Sequence, residues 1–115
     1  MRTRRTSRGM RRAFRYWILD ALAAEPQGNA PLSSVYQHVK RNLGPDFTSR
    51  ETDDVPSGGE QTWMNDVRQE RRDMIRDGLL VDRNDGIWQL TDDGRALLRR
   101  YAGPPKLDSY PDEIG

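Results

Sequence analysis

The 115-residue chain contains no cysteine. That absence excludes disulfide bridges and thiolate metal sites. Histidine occurs once, as His38, and reads as a surface or partly packed side chain rather than a catalytic group. No apolar run approaches the length needed to span a membrane. Apolar residues reach only 34% against 32% charged, so part of the chain is expected to be extended or disordered tail. The acids Glu51, Asp53, Asp54 and Glu60 have neither regular spacing nor a histidine partner, which argues against a metal site. "DRNDG" (82–86) lacks the further ligands and downstream glutamate of a calcium loop. These absences leave no catalytic residue, metal or cofactor to assign, and no enzyme is expected.

What is present is charge, unevenly placed. The net charge of +1 conceals seven arginines and no acid in residues 1–19. Residues 46–60 reverse the balance, with five acids against Arg50 alone. The basic start before "WILDALAA" faintly suggests a signal peptide, but Arg15 and Asp20 interrupt the apolar stretch. An arginine-rich, acid-free start also fits a mitochondrial transit peptide; the default expectation is cytoplasmic.

Length and periodicity give one domain, burying roughly two thirds of its unfolded surface. Residues 1–9 read as a flexible Arg-rich arm, 10–101 as the folded domain, and 102–115 as a loose, Pro-containing acidic tail. A first helix is expected from Met10 or Arg11, with Phe14, Trp17, Ile18, Ala21 and Leu22 at helical spacing, ended by Pro26 and Gly28. A second is expected after Leu32 with Ser33 as its cap. It carries Val35, Tyr36, Val39 and Leu43 and stops at Gly44-Pro45. Residues 45–61 read as a loop. A third helix is expected from Thr62 or Trp63 to Asp77, with Trp63, Val67, Met74 and Ile75 turned inward.

The stretch "GLLVDRNDGIWQLTDDGRALL" (78–98) is the clearest local signal. Gly78 stands where a helix takes a left-handed terminator. Leu79–Val81 and Ile87–Leu90 favour strands, and Asn84, Asp85 and Gly86 suit the hairpin between them. Thr91 is a good N-cap, with Asp92 and Asp93 in the first turn of a helix running to about Tyr101. Three helices, a two-stranded hairpin and a closing helix describe an α+β fold, a mostly helical winged helix-turn-helix. Leu32 is the candidate for a short third strand.

With Val67 set inward on the third helix, the opposite side collects Thr62, Asn65, Gln69, Arg72 and Arg76, with Arg68 on one flank. Asn and Gln can bond the adenine edge and Arg the guanine edge, so the set suits a major groove. In a helix-turn-helix this is the helix that enters the groove. Arg4, Arg5, Arg8, Arg11 and Arg12 could enter a minor groove or pair with phosphates. Arg83, at the wing tip, is placed to touch the flank, although Asp82 and Asp85 oppose it.

The strings "APLSSVYQHV", "VPSGGEQTWMNDVR" and "DGLLVDRNDGIWQLTDDGRALL" resemble the winged-helix domain at the N-terminus of Mrr-type restriction endonucleases. The resemblance covers roughly residues 13–99. Its most specific pieces are Pro56-Ser57-Gly58, Trp63, Val67, Gly78-Leu79-Leu80, Gly86 through Thr91, and Gly94-Arg95. It implies a DNA reader; the family's nuclease domain has no counterpart here, so cutting is not expected to carry over. Glu70 departs from the pattern, which favours a small apolar residue there, and a half-buried carboxylate would need Arg71 or a first-helix arginine as its partner.

Together these readings give a protein that binds double-stranded DNA, as a transcriptional regulator or as a recognition subunit whose effector is separately encoded. Dimerisation is left open by the aromatics of the first helix. The alternative is a winged-helix protein-interaction module that uses the acidic loop and the segment from Tyr101 to Ile114.

Overall fold

The computed structural model describes residues 7–55 and 59–107. Its elements run α1 (Ser7–Ala23), β1 (Asn29–Pro31), α2 (Leu32–Leu43), a 3-10 turn (Gly44–Asp46), α3 (Ser49–Thr52), α4 (Thr62–Arg76), β2 (Ile87–Gln89) and α5 (Asp92–Arg100). This is the α+β, mostly helical arrangement of a winged helix. Among the described residues no helix is long and apolar enough to cross a membrane.

Helix α1 organises the core. Ala13, Phe14, Ile18, Leu19, Ala21 and Leu22 are all buried. They form a wide apolar stripe, which lets one helix touch α2, α4, α5 and β1. Helix α2 turns Val35, Val39 and Leu43 inward, and α4 contributes Trp63, Val67 and Met74. The first helix begins at Ser7, ahead of the Met10 or Arg11 start that periodicity suggests, and Met10 is buried.

The hairpin forms, but its ladder is short. Leu80 and Leu90 make an isolated antiparallel bridge, and the Val81 N–H donates to the Gln89 carbonyl at 2.9 Å. On its other edge β2 pairs with β1, with Asn29 opposite Gln89, Ala30 opposite Trp88 and Pro31 opposite Ile87. The third strand is therefore Asn29–Pro31, just ahead of Leu32. Leu32 opens α2 instead and donates its N–H to the Gly86 carbonyl at 3.0 Å.

Two further expectations are corrected. Ser33 does not cap α2; Pro31 occupies the N-cap, with no side-chain bond. Its fixed φ suits the turn from strand to helix. Residues 45–61 are not all loop. Thr48 and Glu51 form a reciprocal capping box around α3, a four-residue helix. The carboxylate accepts from the Thr48 N–H at 2.7 Å and its hydroxyl at 2.8 Å, which is why Glu51 is buried. At the end of the domain, Tyr101 stacks edge-on against Tyr16 with centroids 5.1 Å apart. Leu107 is half-buried against the core.

The punctuation around the hairpin behaves as its residue types require. Gly78 adopts φ 79°, its N–H donates to Ile75 at 3.0 Å, and the Leu79 N–H reaches back to Met74 at 2.8 Å. That pair of bonds is a Schellman closure. Thr91 caps α5 by accepting from the Gly94 N–H at 3.0 Å, and its hydroxyl donates to the Gly78 carbonyl at 2.6 Å. Gly94 is needed for space rather than for φ. A Cβ there would run into the Leu79 carbonyl oxygen and lie 2.9 Å from Leu90 Cδ2.

Glu70 is buried on the inner side of α4. Its partner is Arg15 of α1, whose Nε donates to Oε2 at 2.5 Å while Nη2 donates to Asp77 at 3.0 Å. Arg11 stands 4.0 Å from the other carboxylate oxygen, which accepts no hydrogen bond among the described residues. Burial raises the Glu70 carboxyl above its ordinary value and outweighs the pull of Arg15. Burial pulls Arg15 down, but its bonds to Glu70 and Asp77 leave it above its ordinary value. Both groups are raised, which favours the charged form of Arg15 and disfavours that of Glu70, the deeper partner. The short bond between them is that of an ionised pair.

Two expectations follow from these contacts. Gly94→Ala should destabilise by about 1–3 kcal/mol despite alanine's better helix propensity; a raised melting temperature would refute the crowding argument. Arg15→Leu should cost about 3 kcal/mol near neutral pH, because it strands a buried carboxylate. A carboxyl raised by folding binds more protons in the native state, so its contribution falls as pH rises from the ordinary carboxylate range into the raised one. The Arg15→Leu penalty should therefore be smaller in mildly acidic solution. Equal penalties in urea unfolding at the two pH values would show that Glu70 is not the stranded group.

Candidate nucleic-acid interface

Burial of Trp63, Val67, Glu70 and Met74 sets the orientation of α4. At 100° per residue, the face opposite them carries Asn65, Gln69, Arg72 and Arg76. Gln69, Arg72 and Arg76 are exposed and Asn65 is half-buried. One helix thus presents two amides and two guanidiniums in a row.

The electrostatics of this face depend on which cations are already engaged. Arg72 and Gln69 make no hydrogen bond or ion pair among the described residues. Arg76 is bonded to Asp73 one turn earlier at 2.6 Å, yet remains 72% exposed. Such a pair contributes little in water and yields readily to a competing anion. Asp66, on the flank, is met by Arg50 at 2.9 Å, which reduces its repulsion of an incoming phosphate.

Arg68 has a different role. It donates to Glu60 at 2.5 Å, to the Tyr36 hydroxyl at 3.3 Å and to Asn65 Oδ1 at 3.3 Å. The Glu60 bond outweighs desolvation and holds the guanidinium above its ordinary value, while the same bond lowers Glu60. Arg68 therefore joins α4 to α2 and to the segment before α4. Of the acids in 46–60, Glu51 caps α3 and Glu60 holds Arg68. Among the described residues no group of three His, Asp or Glu side chains is placed to hold a metal ion.

At the wing tip, Arg83 is engaged by its neighbours. Its Nη2 and Nε donate to Asp85 at 2.5 and 3.2 Å, and Nη1 donates to Gln89 at 2.8 Å. The Arg83 bond lowers the Asp85 carboxyl below its ordinary value. Asp85 Oδ1 also accepts from the Ile87 N–H at 3.2 Å, closing the turn in which Gly86 takes φ 82°.

The basic start is only partly described. Arg4 and Arg5 lie outside the described residues, and so does the Arg8 side chain, although its backbone is in α1. Arg11 and Arg12 are exposed on α1. Pro56-Ser57-Gly58 also lie outside the described residues.

His38 is half-buried, with Nε2 2.8 Å from Asp20 and its ring edge-on to Trp17 at 5.6 Å. Trp17 and Tyr16 are thus used within the chain. Arg71 escaped the sequence reading as a functional residue. Its Nη2 donates to the Arg83 carbonyl at 2.6 Å and its guanidinium lies 5.2 Å from the Trp88 ring centroid. The signal available was its angle, about 40° from Val67, which puts a cation at the edge of the buried stripe.

Among family models, the one described as the Mrr N-terminal domain matches residues 12–100. No curated protein matches the chain.

Proposed function

The chain belongs to the Mrr N-terminal domain family, and on that footing we propose that it binds double-stranded DNA through α4. The observation that carries the reading is the outward row of Asn65, Gln69, Arg72 and Arg76, which leaves two amides and two cations to face one groove. Arg72 and Gln69 are the readiest base readers, because neither must first release a partner among the described residues. Arg76 exchanges Asp73 for a phosphate. Arg83 and the basic N-terminal segment grip the flanks, with Arg4, Arg5, Arg8, Arg11 and Arg12 supplying charge on that side. Arg68 stands beside the groove as a support.

The domain acts either as a regulator or as the recognition part of an assembly that includes an effector. The internal use of Glu51, Glu60 and Asp66 leaves less acidic surface for a protein-interaction role than the raw sequence suggests.

Anisotropy titration of a labelled mixed-sequence duplex across a salt series tests the reading. Affinity should fall steeply between about 50 and 200 mM salt. Removing residues 1–6, which spares the buried Met10, should lessen the logarithmic slope by roughly 0.9 for each phosphate that those residues neutralise. Arg72→Ala should weaken binding by roughly 1–3 kcal/mol if it reads a base. An intact chain that fails to bind even at about 50 mM salt would overturn the proposal.

A further inference from the structure

The hairpin beyond its last ladder bond is an unusual lever. After the Val81 N–H to Gln89 bond, residues 82–85 make no sheet hydrogen bonds among the described residues. A tip of that kind is free to swing unless something beside it holds it. Two backbone anchors do so, one on each side. The Leu32 N–H at the start of α2 donates to Gly86 at 3.0 Å. Arg71 on α4 donates to the Arg83 carbonyl at 2.6 Å.

We propose that Arg71 is a positioning residue that locks the wing tip to α4, so that Arg83 and the outward face of α4 meet DNA in one fixed relation. The proposal rests on the DNA-binding reading above and deepens it. Arg71 is half-buried, and its guanidinium carbon lies over the Trp88 ring, 5.2 Å from the centroid; Trp88, at the centre of β2, is itself only 3% exposed. A cation over the face of a buried indole is attracted by the ring, which favours this pose. The Arg71 Nε is buried with no hydrogen-bond partner among the described residues. The group is thus held by its cation–π contact and by Nη2.

The geometry suits arginine and not lysine. A planar fork can stack on an indole while one nitrogen reaches sideways to a carbonyl, whereas an ammonium is a hydrated point charge. The residue whose carbonyl is captured is also the one whose side chain is fixed, since Arg83 is braced by Asp85 and Gln89. Gripping the Arg83 backbone therefore sets the direction in which its guanidinium leaves the wing. Arg72, the next residue along α4, lies about 100° around the helix on the outward face. One turn of helix thus holds both the anchor of the wing and an exposed groove cation.

The test combines two readouts on the full chain. Amide hydrogen exchange in the free protein should rise about tenfold in Arg71→Leu at Val81 and Ile87, whose N–H groups bond Gln89 and Asp85 on either side of the tip, the loss of one hydrogen bond from a charged donor. The buried amides of α1 should keep their protection. Binding to a mixed-sequence duplex is then measured for the wild type, Arg71→Leu, Arg71→Lys, Arg83→Ala and the Arg71→Leu/Arg83→Ala double variant. Arg71→Leu should weaken binding several-fold, Arg71→Lys should behave like it despite keeping the charge, and the double variant should be no weaker than Arg83→Ala alone. Full affinity in Arg71→Lys, additive losses in the double variant, or unchanged exchange at Val81 and Ile87 would each overturn the positioning role. Loss of protection throughout α1 would also overturn it, by showing that Arg71 supports the whole fold. A wild type that fails to bind would overturn the DNA reading instead, and the exchange rates alone would then judge whether Arg71 anchors the wing.

Discussion

The structure depends on the apolar width of α1. A helix with an ordinary stripe can cover one neighbour, but Ala13, Phe14, Ile18, Leu19, Ala21 and Leu22 present apolar surface on more than one side. That allows α2, α4 and α5 to pack around a single axis in a chain with few apolar residues to spend. The arrangement also decides what α4 can do. Once Trp63, Val67 and Met74 are committed to the core, the row from Asn65 to Arg76 has only solvent, or a ligand, to face.

Charge is sorted by the same packing. Arginines that fall between elements become ties: Arg15 joins α1 to Glu70, Arg68 joins α4 to Glu60 and Tyr36, and Arg71 joins α4 to the wing. Arginines that fall on outward arcs stay available, as Arg72 and Arg76 do. The division explains how a chain with near-balanced charge keeps two exposed arginines on one arc of α4 while others serve as ties between elements.

Much of the fold was legible because it is encoded locally. Gly78 ends a helix because only glycine takes its positive φ without strain, and Thr91 starts one because its hydroxyl reaches the Gly94 N–H. Both decisions are made within three or four residues. The misread parts were those in which a local cue competed with a distant partner. Ser33 looked like a cap, but the pairing of Pro31 with Ile87 moved the helix start forward. The Thr48–Glu51 box was present in the sequence, yet its four-residue helix is too short to show a period. The candidate site was half legible: the angular spacing of Asn65, Gln69, Arg72 and Arg76 follows from helix geometry, whereas the engagement of Arg68 and Arg83 does not.

The sequence by itself determined the main helices and the hairpin, their order, the punctuation around the hairpin and which arc of each main helix faces inward. Those follow from φ preferences, side-chain reach and a fixed 100° step. Only the tertiary structure decided which arginine meets which oxygen. Arg15 and Glu70 are 55 residues apart, and Arg71 takes a carbonyl twelve residues ahead of it on a different element. A guanidinium has five donors on a long, rotatable stem, so its partner is chosen by what folding brings within about 3 Å. No spacing along the chain carries that information.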